Sequence, residues 1–372
     1  MSASRRERRY RDAGKRRAGG EPFHRRHRKL LIALFTFLIV VPVVGGASYA
    51  YVLNSKLNNV EKVPEVQDTD RPDPDKGKAL NILLLGSDKG KKIEGQPSGT
   101  TIGEDAAADE WPSGKYRSDT LMIVHISSDR KNVYLTSIPR DTFTTIYDAS
   151  GRPQHQGKIN AAFSEYGPLA AISTVEHLTN LRMEHLAIID WAGFKALSSA
   201  VGGVPVTIPQ AFYDPKQKIQ WEAGPQVLKG EKALAYVRTR YGLLRGDFDR
   251  IARQQNFLRA LMKKILDKGT MTNPVKLIKT VGALTENLTV DAGWSSGDMR
   301  GLALSLRGTR AEDVQFLTAP VTGTETVPVY GSIVRLDEAK AMSLWDALRK
   351  DSLTAYLKEH PDDVLPPPEE VR

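Results

Sequence analysis

The sequence predicts a layered α/β domain with a mixed central sheet, and three observations support this prediction. Short, continuous apolar runs at Leu80–Leu85 and Thr120–Ile126 have the length and composition of buried central strands. Segments with helical apolar spacing, such as Asn160–Leu178, are interleaved with strands along the chain. With 372 residues, of which 40% are hydrophobic, the chain is long enough to bury one large core.

Further strands and helices alternate along the rest of the chain. The helix predicted at Trp191–Val201 ends before Gly202 and Gly203, because glycine readily takes the left-handed conformation found at helix ends. The further strands predicted are Val133–Ile138, Leu186–Ile189, Val204–Ile208 and Val314–Leu317. The further helices predicted are Glu231–Val237, Ile251–Leu266, Pro274–Leu284, Gly297–Leu306 and Glu338–Leu348.

A transmembrane helix is predicted to precede this domain. Residues 30–53 form a run of 24 residues without a charge, and about 20 apolar residues are enough to cross a bilayer as a helix. Residues 1–29 hold twelve basic and three acidic residues, which account for the whole net charge of +9. The positive-inside rule therefore predicts a single-pass cell-membrane protein with a cytoplasmic N-terminus, a tail facing anionic membrane lipid, and an extracellular domain.

Two other interpretations of the N-terminus compete with this anchor. Small residues at Ser48 and Ala50 fit a cleaved signal peptide, but the apolar run is longer than the usual core of about 7–15 residues. The basic tail could contact nucleic acid, yet it lacks any folded DNA-binding pattern, so no nucleic-acid partner is predicted. Cysteine is absent, which excludes disulfides, thiol nucleophiles and thiolate metal sites.

Composition divides the chain into five segments. Residues 54–78 are polar and contain three prolines, which indicates an extracellular linker between the span and the folded domain. A segment rich in Gly, Pro, Ala and Asp, Lys89–Lys115, predicts an exposed, mobile loop or lid, in which Trp111 either stacks on a sugar ring or packs on its own domain. The five segments are a basic tail (1–29), a span (30–53), a linker (54–78), a folded domain (79–350) and a flexible C-terminal tail (351–372).

Several common catalytic motifs are absent from the sequence. It contains no Gly-x-Ser-x-Gly nucleophile elbow, no Gly-x4-Gly-Lys-Ser/Thr phosphate loop and no His-Glu-x-x-His zinc motif. None of the seven histidines forms a pair at metal-binding spacing. His125 lies within a predicted strand and is expected to be packed in the core.

Arginines and aspartates recur at the predicted ends of strands and helices, where open α/β sheets bind ligands. An extended backbone would direct Arg238 and Arg240 the same way, because they are two residues apart. Asp247, Arg250 and Gln254 have the i, i+3, i+7 spacing of one helical face. Similar clusters occur at Gly86-Ser87-Asp88, Arg117-Ser118-Asp119-Thr120, Ile138-Pro139-Arg140-Asp141 and Lys158-Ile159-Asn160.

The chemistry of these side chains suits a phosphorylated ligand. Guanidinium groups are planar forks of donors that match phosphate oxygens, and several around one pocket would neutralise a pyrophosphate. Carboxylates such as Asp88 and Asp119 suit magnesium, a hard cation that prefers oxygen ligands and phosphates. Ordinary surface ion pairs remain the alternative for each cluster, so spacing by itself predicts only a phosphate-binding α/β domain.

A resemblance makes the prediction more specific. An ordered series of segments is similar to the LytR-CpsA-Psr family of cell-wall ligases, with an actinobacterial-like character, closely over residues 79–270 and more loosely over 297–348. The resemblance implies that 79–350 is a catalytic domain, a three-layer α/β/α sandwich with a mixed central sheet and a hydrophobic polyprenyl pocket. The matching segments are LNILLLGSD, RSDTLMIVHI, VYLTSIPRDTF, KINAAF, VGGVPV, LKGEKALAYVRTR and DFDRIARQQNFL.

The same resemblance assigns roles to residues of this chain. It implies Mg²⁺ or Mn²⁺ ligands at Asp88 and Asp119, and a catalytic set of Arg140, Asp119 and Asp247. Asp141 is expected to support its loop. The family often has arginine directly after the Gly-Ser-Asp triplet, whereas this chain has Lys89, which cannot form a bidentate fork. The pyrophosphate-binding residues implied are Arg117, Arg140, Arg238, Arg240, Arg250, Gln254 and Lys158.

The function implied is a phosphotransferase. Its donor would be a polyprenyl-pyrophosphate-linked glycopolymer, such as a teichoic acid or an arabinogalactan-like polymer, and its acceptor a sugar hydroxyl of peptidoglycan. Either Asp119 or Asp247 would take the proton of that hydroxyl. Two alternatives stay open: a pyrophosphatase that hydrolyses the same lipid, which would release phosphate without an acceptor, and a non-catalytic envelope-sensing regulator, which would depend more on residues 1–29 than on Arg238.

Overall fold

A computed structural model of the chain describes residues 48, 50–66, 70–74, 77–89, 99–240 and 246–371. The fold is that of the compact unit Val52–Arg372. The predicted basic tail lies outside the described residues, as does the predicted span except for positions 48 and 50–53. Within the described ranges, no helix combines the length and the apolar character needed to cross a membrane.

Fifteen strands are present in the described part of the chain. The strands are numbered in the order of the sequence. Seven of them form a mixed central sheet, in which neighbouring strands follow the order β1-β12-β7-β2-β3-β4-β13. The strands are β1 (Glu61–Val63), β2 (Leu80–Lys89), β3 (Tyr116–Ile126), β4 (Val133–Ser137), β5 (Phe143–Tyr147), β6 (Pro153–Lys158), β7 (His185–Asp190), β8 (Val204–Ile208), β9 (Phe212–Asp214), β10 (Ile219–Trp221), β11 (Gly224–Leu228), β12 (Leu288–Asp291), β13 (Val314–Thr318), β14 (Val321–Val327) and β15 (Gly331–Leu336).

The central sheet is mixed, as predicted. Neighbours β1 and β12, β2 and β7, and β4 and β13 are parallel, whereas the other neighbours are antiparallel. The remaining strands form four two-stranded antiparallel sheets, β5 with β6, β8 with β11, β9 with β10 and β14 with β15. The predicted strand at Val204–Ile208 is therefore present, but it belongs to a peripheral pair rather than to the central sheet.

The helices within the described ranges surround this sheet. They are α1 (residues 50–58), α2 (Ile102–Ala106), α3 (Asn160–Tyr166), α4 (Pro168–Thr179), α5 (Trp191–Ala200), α6 (Gly230–Arg238), α7 (Asp247–Ile265), α8 (Lys268–Met271), α9 (Pro274–Thr285), α10 (Ser296–Ser305), α11 (Glu338–Arg349) and α12 (Leu353–Glu359). The single helix expected over Asn160–Leu178 is divided in two, because Gly167 has a φ of 93° and Pro168 starts a new helix.

The two faces of the sheet carry separate apolar cores, which gives the three layers that the resemblance implied. On one face, Leu83 and Ile123 pack in a cluster with Phe163 of α3 and Trp345 of α11. On the other face, Ile82 and Met122 belong to a cluster that includes residues of α7 and α10. Successive side chains of β2 and β3 point to opposite faces of the sheet, so both strands contribute to both cores. A third cluster joins β8 and β11 to α5, α6 and α7.

The predicted linker and loop are more structured than their composition suggested. Residues 61–63 form β1 at the edge of the central sheet, and Val63 is 1% exposed, so the folded domain begins before the predicted start at 79. Within 89–115, residues 90–98 lie outside the described part, whereas 102–106 form α2. Trp111 packs against Tyr116 and Phe163 and donates to the Ser164 carbonyl oxygen at 3.2 Å, so it packs on its own domain.

The C-terminal segment was predicted to be a flexible, solvated tail, and this prediction is wrong. Helix α12 lies within it, and a 3-10 helix follows at Pro361–Asp363. Leu353 is 1% exposed, Leu365 8% and Val371 2%. These apolar side chains belong to the cores of the domain. The prolines and acidic residues between them hide the apolar pattern in the sequence but do not prevent burial.

Candidate functional site

One cavity of about 490 Å³ collects most of the predicted site residues. We call it the cationic cavity, because six cationic side chains and three carboxylates line it. Its walls come from separate parts of the chain, including β2, β3, the loop after β4, and α5 to α7. The lining residues are Asp88, Arg117, Asp119, Arg140, Trp191, Asp214, Lys216, Gln217, Arg238, Arg240, Arg250 and Gln254.

A β-bulge between β2 and β3 positions the first group of residues. Gly86 pairs with Thr120 and Ser87 with Ser118, so Asp119 is the extra residue on β3. A Cβ atom on Gly86 would lie 2.9 Å from the Thr120 Cβ, which explains why glycine occupies this position. Asp88 pairs with Arg117 directly beyond the bulge. The backbone of Lys89 ends β2 opposite Tyr116, and its side chain lies outside the described part.

The loop after β4 brings Arg140 into the cavity. Backbone hydrogen bonds hold this loop on both sides, from Asn160 N to the Arg140 carbonyl oxygen at 3.2 Å and from Val334 N to the Asp141 carbonyl oxygen at 2.8 Å. The Arg140 guanidinium donates to Asp119 Oδ1, and its Nε lies 3.7 Å from Asp141 Oδ2. Asp141 therefore contacts the arginine of its own loop, as expected of a supporting residue.

Helices α6 and α7 supply the remaining arginines. Arg238 is the last residue of α6, so the extended backbone considered for Arg238 and Arg240 is not observed, although both side chains line the cavity. The Arg238 guanidinium lies 5.3 Å from the Trp191 ring centre, a cation-π distance. Asp247, Arg250 and Gln254 lie on one face of α7, as predicted, and Arg250 Nη2 donates to Asp247 Oδ2 at 2.9 Å.

Two carboxyl groups of the cavity differ in their electrostatic environment. Burial and the neighbouring Asp119 raise the pKa of Asp88, and Arg117, Arg238 and the Trp191 side chain oppose this shift only in part. Burial also acts against ionisation of Asp119, but Arg140, Arg250 and Arg240 outweigh it and hold the pKa of that carboxyl below its usual range. Asp119 is thus stabilised as a carboxylate, whereas Asp88 lacks full compensation.

The buried polar atoms of the site also indicate that some of its charged groups lack full compensation. Among the described residues that line the cationic cavity, the buried atoms without a hydrogen-bond partner include Asp88 Oδ1, Arg140 Nε, Trp191 Nε1 and Arg250 Nε. An unsatisfied buried charge is costly, and such atoms in a functional cavity are typical of groups that contact a ligand. One carboxylate oxygen and two guanidinium nitrogens therefore suit a cation and an anion, respectively.

Metal binding by Asp88 and Asp119 stays a prediction. Within the described ranges, no group of three or more histidine, aspartate or glutamate side chains is arranged to hold a metal ion. Asp88 and Asp119 are near enough for each to affect the other's ionisation, and Asp88 Oδ1 has no hydrogen-bond partner among the described residues. The donor set fits a hard cation that takes its other ligands from phosphate and water.

An apolar cavity of about 70 Å³ adjoins the cationic one. The two share Trp191 and Gln254, so Gln254 stands at their boundary, where its Oε1 accepts from Thr120 Oγ1 at 3.3 Å. The apolar walls come from β2, β7, α5 and α7 and include Leu84, Phe194 and Leu258. An apolar space therefore opens beside the arginines, although it is small.

A third space, which we call the side cavity, has a volume of about 420 Å³ and shares Arg117, Asp119 and Arg140 with the cationic cavity. Lys158, a predicted pyrophosphate ligand, lines the side cavity rather than the cationic one. Its Nζ lies 3.5 Å from Asp141 Oδ1. Asp247 lines neither space directly and contacts the site through Arg250 and through Arg140 Nε at 3.9 Å. The residues lining the side cavity are Arg117, Asp119, Arg140, Asp141, His155, Gly157, Lys158, Asn160, Ala161, Ser164, Glu165, Val329 and Tyr330.

Four lining residues of the cationic cavity were not predicted as site residues. Trp191 starts α5, Asp214 ends β9, and Lys216 and Gln217 belong to the turn between β9 and β10. Gln217 Nε2 donates to the Ala235 carbonyl oxygen at 3.0 Å and to Thr239 Oγ1 at 2.9 Å, which fixes this turn against the end of α6. The Asp-Pro dipeptide was a signal of a turn, but nothing local indicated where that turn packs.

Two cell wall biosynthesis proteins of one organism are similar to this chain in sequence. The probable cell wall biosynthesis protein LcpB of Corynebacterium glutamicum is 32% identical over 301 residues, which cover 80% of this chain and 66% of LcpB. The cell wall biosynthesis protein LcpA of the same organism is 32% identical over 286 residues, 70% of this chain and 53% of LcpA. The chain thus spans less than two thirds of either relative.

A teichoic acid transferase gives both a sequence and a structural match. The polyisoprenyl-teichoic acid–peptidoglycan teichoic acid transferase TagV of Bacillus subtilis is 34% identical over 179 residues, 47% of this chain and 44% of TagV. The crystal structure of B. subtilis TagV matches with a TM-score of 0.57 and 27% identity, over 74% of this chain and 98% of that chain. Because the LytR_cpsA_psr family model also matches residues 44–350, this chain belongs to the LytR-CpsA-Psr family.

Proposed function

We propose that this chain is a phosphotransferase that attaches a polyprenyl-pyrophosphate-linked glycopolymer to a sugar hydroxyl of peptidoglycan. The observation that carries the proposal is the convergence of five arginines, from distant stretches of the chain, on one cavity that adjoins an apolar one. The polymer is of the teichoic acid or arabinogalactan-like class. The protein acts outside the cell, anchored in the cell membrane by a single span with its N-terminus in the cytoplasm.

The arginines bind the pyrophosphate of the donor. Guanidinium forks from β3, the loop after β4, α6 and α7 approach one space from several sides, which suits a doubly phosphorylated group better than a single phosphate. Arg250 is 2% exposed, and its burial strengthens its attraction for an anion. The free Nε atoms of Arg140 and Arg250 are the donors best placed to gain partners, since neither has one among the described residues.

The polyprenyl tail extends from this headgroup into the apolar cavity. A cavity of about 70 Å³ is far too small for such a chain, since one water molecule takes about 30 Å³ of liquid volume. Phe194 of α5 and Leu258 of α7 both line it, and their side chains would have to move to admit the lipid. Gln254, at the boundary of the two cavities, would contact the junction of headgroup and tail.

The transfer step follows from this binding mode. The acceptor hydroxyl oxygen forms a bond to the phosphorus atom next to the donor sugar, and the bond from that phosphorus to the bridging oxygen breaks. Polyprenyl phosphate leaves with the electron pair, and the glycopolymer becomes joined to the wall sugar by a phosphodiester. The arginines stabilise the charge that develops on the phosphoryl oxygens.

Asp119 takes the hydroxyl proton as the new bond forms. It lines both the cationic and the side cavity, so it lies where an incoming hydroxyl would meet the phosphoryl group. Its Oδ1 contacts Arg140 and Arg240, which leaves Oδ2 for the proton. Asp247 is the weaker candidate, because it lines neither cavity.

Asp88 and Asp119 would hold Mg²⁺ or Mn²⁺, with Asp88 as the main ligand because proton transfer needs Oδ2 of Asp119. A bound cation of this kind neutralises charge on the phosphoryl oxygens. The uncompensated Oδ1 of Asp88, which has no hydrogen-bond partner in the described part of the chain, supports this assignment.

The test uses the full chain in detergent, a short-chain polyprenyl-pyrophosphate glycan donor and a soluble peptidoglycan oligosaccharide. We expect a phosphodiester-linked product by mass spectrometry, and a loss of at least tenfold in its rate for Arg140→Lys, which keeps the charge but not the fork. Arg310→Lys, at an exposed arginine outside the cavities, is the matched control. Phosphate release that does not depend on the oligosaccharide would indicate a pyrophosphatase, and donor binding without any turnover would indicate a receptor.

A further inference from the structure

The side cavity differs from the cationic cavity in its charge. Three cationic side chains and three carboxylates line it, in addition to His155, whereas cations outnumber carboxylates two to one in the cationic cavity. Its charged groups are largely paired, with Lys158 at 3.5 Å from Asp141 and His155 Nε2 at 3.5 Å from Glu165 Oε2. A cavity with balanced charge and many donors and acceptors suits an uncharged, hydroxyl-rich ligand better than a second anion.

An aromatic side chain at the rim strengthens this interpretation. Tyr330 lines the side cavity from the turn between β14 and β15, and its ring lies edge-on to Phe143 at 5.2 Å. The Arg335 guanidinium lies over the Phe143 ring at 4.8 Å from its centre, so the turn rests on a defined aromatic contact. A half-buried ring held in place in this way offers a flat apolar surface to the CH groups of a sugar.

The backbone of the same turn is strained. Val329 has a φ of 74° and is 98% exposed, although β-branched residues rarely adopt positive φ and apolar side chains rarely stay so exposed. Such an outlier costs about 1–3 kcal/mol and is typical of functional loops. Here the strained residue and its neighbour Tyr330 both line the side cavity.

We propose that the side cavity is the acceptor site and binds an uncharged sugar unit of a glycan chain, with Tyr330 as the stacking surface and with Lys158, Glu165 and His155 as hydrogen-bonding groups. This inference rests on the proposed function. A sugar bound there has a short path to the phosphoryl group, because Arg117, Asp119 and Arg140 form a wall common to both cavities. The donor would thus enter from the apolar side and the acceptor from the opposite side of that wall.

This assignment changes the expected role of Lys158. If Lys158 binds pyrophosphate, Lys158→Met weakens donor binding. If it belongs to the acceptor site, the same change weakens sugar binding and leaves donor binding intact. The contact between Lys158 and Asp141, together with the absence of Lys158 from the residues that line the cationic cavity, favours the second outcome.

The test measures acceptor and donor binding separately on the full chain in detergent. An uncharged tetrasaccharide of N-acetylglucosamine is titrated by saturation-transfer NMR, which needs no turnover, and geranyl pyrophosphate is titrated by calorimetry. We expect Tyr330→Leu to weaken tetrasaccharide binding about tenfold, and Tyr330→Phe to bind within about twofold of wild type, because it keeps the ring. Lys158→Met should weaken it too, and all three variants should bind geranyl pyrophosphate like wild type.

Each outcome bears on one proposal. Unchanged tetrasaccharide binding in Tyr330→Leu and Lys158→Met would overturn the acceptor site, as would an equal loss of geranyl pyrophosphate binding. Wild-type donor binding by the variants also shows that they are folded. If wild type binds both ligands but forms no phosphodiester, the proposed transferase function fails while the glycan site stands.

Discussion

Arg250 and Asp247 form a salt bridge of 2.9 Å in the first turn of α7, although the arginine side chain is only 2% exposed. Burial, with Arg140 and Arg240 nearby, lowers the pKa of Arg250 to about 10 against the opposing effect of Asp247. The residue therefore stays cationic at neutral pH, and the carboxylates of Asp247 and Asp119 only partly compensate it. Burying a cation of this kind costs free energy unless an anion compensates it, so the binding of an anionic ligand is favoured here.

The first prediction concerns this buried cation. Arg250→Lys keeps a positive charge but loses the planar fork, so we expect geranyl pyrophosphate to bind about 10- to 100-fold more weakly. Calorimetry on the full chain measures the change, with Arg310→Lys as the matched control at an exposed arginine. Binding within about twofold of wild type would show that Arg250 has a structural role only.

The second prediction separates the two roles of Asp119. Asp119→Asn keeps an oxygen that can contact a metal ion and Arg140 but cannot take a proton. We expect the transfer rate at saturating substrates to fall by about 10²- to 10⁴-fold, with donor affinity in magnesium retained. In Asp88→Asn, by contrast, the magnesium concentration needed for half-maximal activity should rise. Recovery of Asp119→Asn at high magnesium would contradict the role of Asp119 as proton acceptor.

The third prediction concerns the stability of the fold. Arg71 makes two hydrogen bonds to Glu176, whose side chain is 0% exposed, at 2.8 and 2.7 Å. Arg71→Met leaves a buried carboxylate without this partner, so we expect a loss of about 3–5 kcal/mol in the free energy of unfolding in urea. The double variant Arg71→Met with Glu176→Gln should recover part of this loss. A single variant as stable as wild type would contradict the stabilising role of this ion pair.

The fourth prediction is a pH dependence of stability at the end of α11. Burial would raise the pKa of Asp351, but hydrogen bonds from Ser128 and His125 outweigh it and lower that pKa. A lowered pKa in the folded state stabilises the protein above the unfolded value of about 3.9, and this contribution is lost as the pH falls through the folded pKa.

The measurement compares wild type with Asp351→Asn. Asparagine tolerates the positive φ of 49° at this position. At neutral pH the variant should be about 1–2 kcal/mol less stable in urea unfolding, because it loses charge-assisted hydrogen bonds. The difference should shrink as the pH falls through the lowered pKa of the folded carboxyl, where wild type takes up its proton. A difference that stays constant with pH would contradict this prediction.

The central strands could be predicted from sequence because they are buried on both faces. Continuous apolar runs at Leu80–Leu85 and Thr120–Ile126 lie in the middle of the sheet, where their apolar side chains pack in a core on either face. The edge strand β1 and the short pairs β9 with β10 and β14 with β15 have weak or mixed patterns, and only tertiary contacts make them strands. The folded structure of the C-terminal segment was not predicted for the same reason, because its local pattern is weak and tertiary contacts determine its structure.

The candidate site was partly predictable, and the missing part has a physical cause. Arginines next to strand ends, such as Arg117 and Arg140, could be identified because the ends of sheet strands meet at one edge. Lys216 and Gln217 reach the cavity only through the packing of a peripheral hairpin on α6, which no local pattern reveals. Lys158 also lies at a strand end, as the last residue of β6, but it faces the adjoining side cavity.

The most direct test of the proposed donor site is a crystal structure of the full chain, or of a fragment shown to fold, with geranyl pyrophosphate and magnesium. We predict two phosphates in the cationic cavity, within hydrogen-bond distance of Arg117, Arg140 and Arg250, and a prenyl chain passing Gln254 between Phe194 and Leu258. A pyrophosphate bound elsewhere, or a prenyl chain directed into the side cavity, would contradict it.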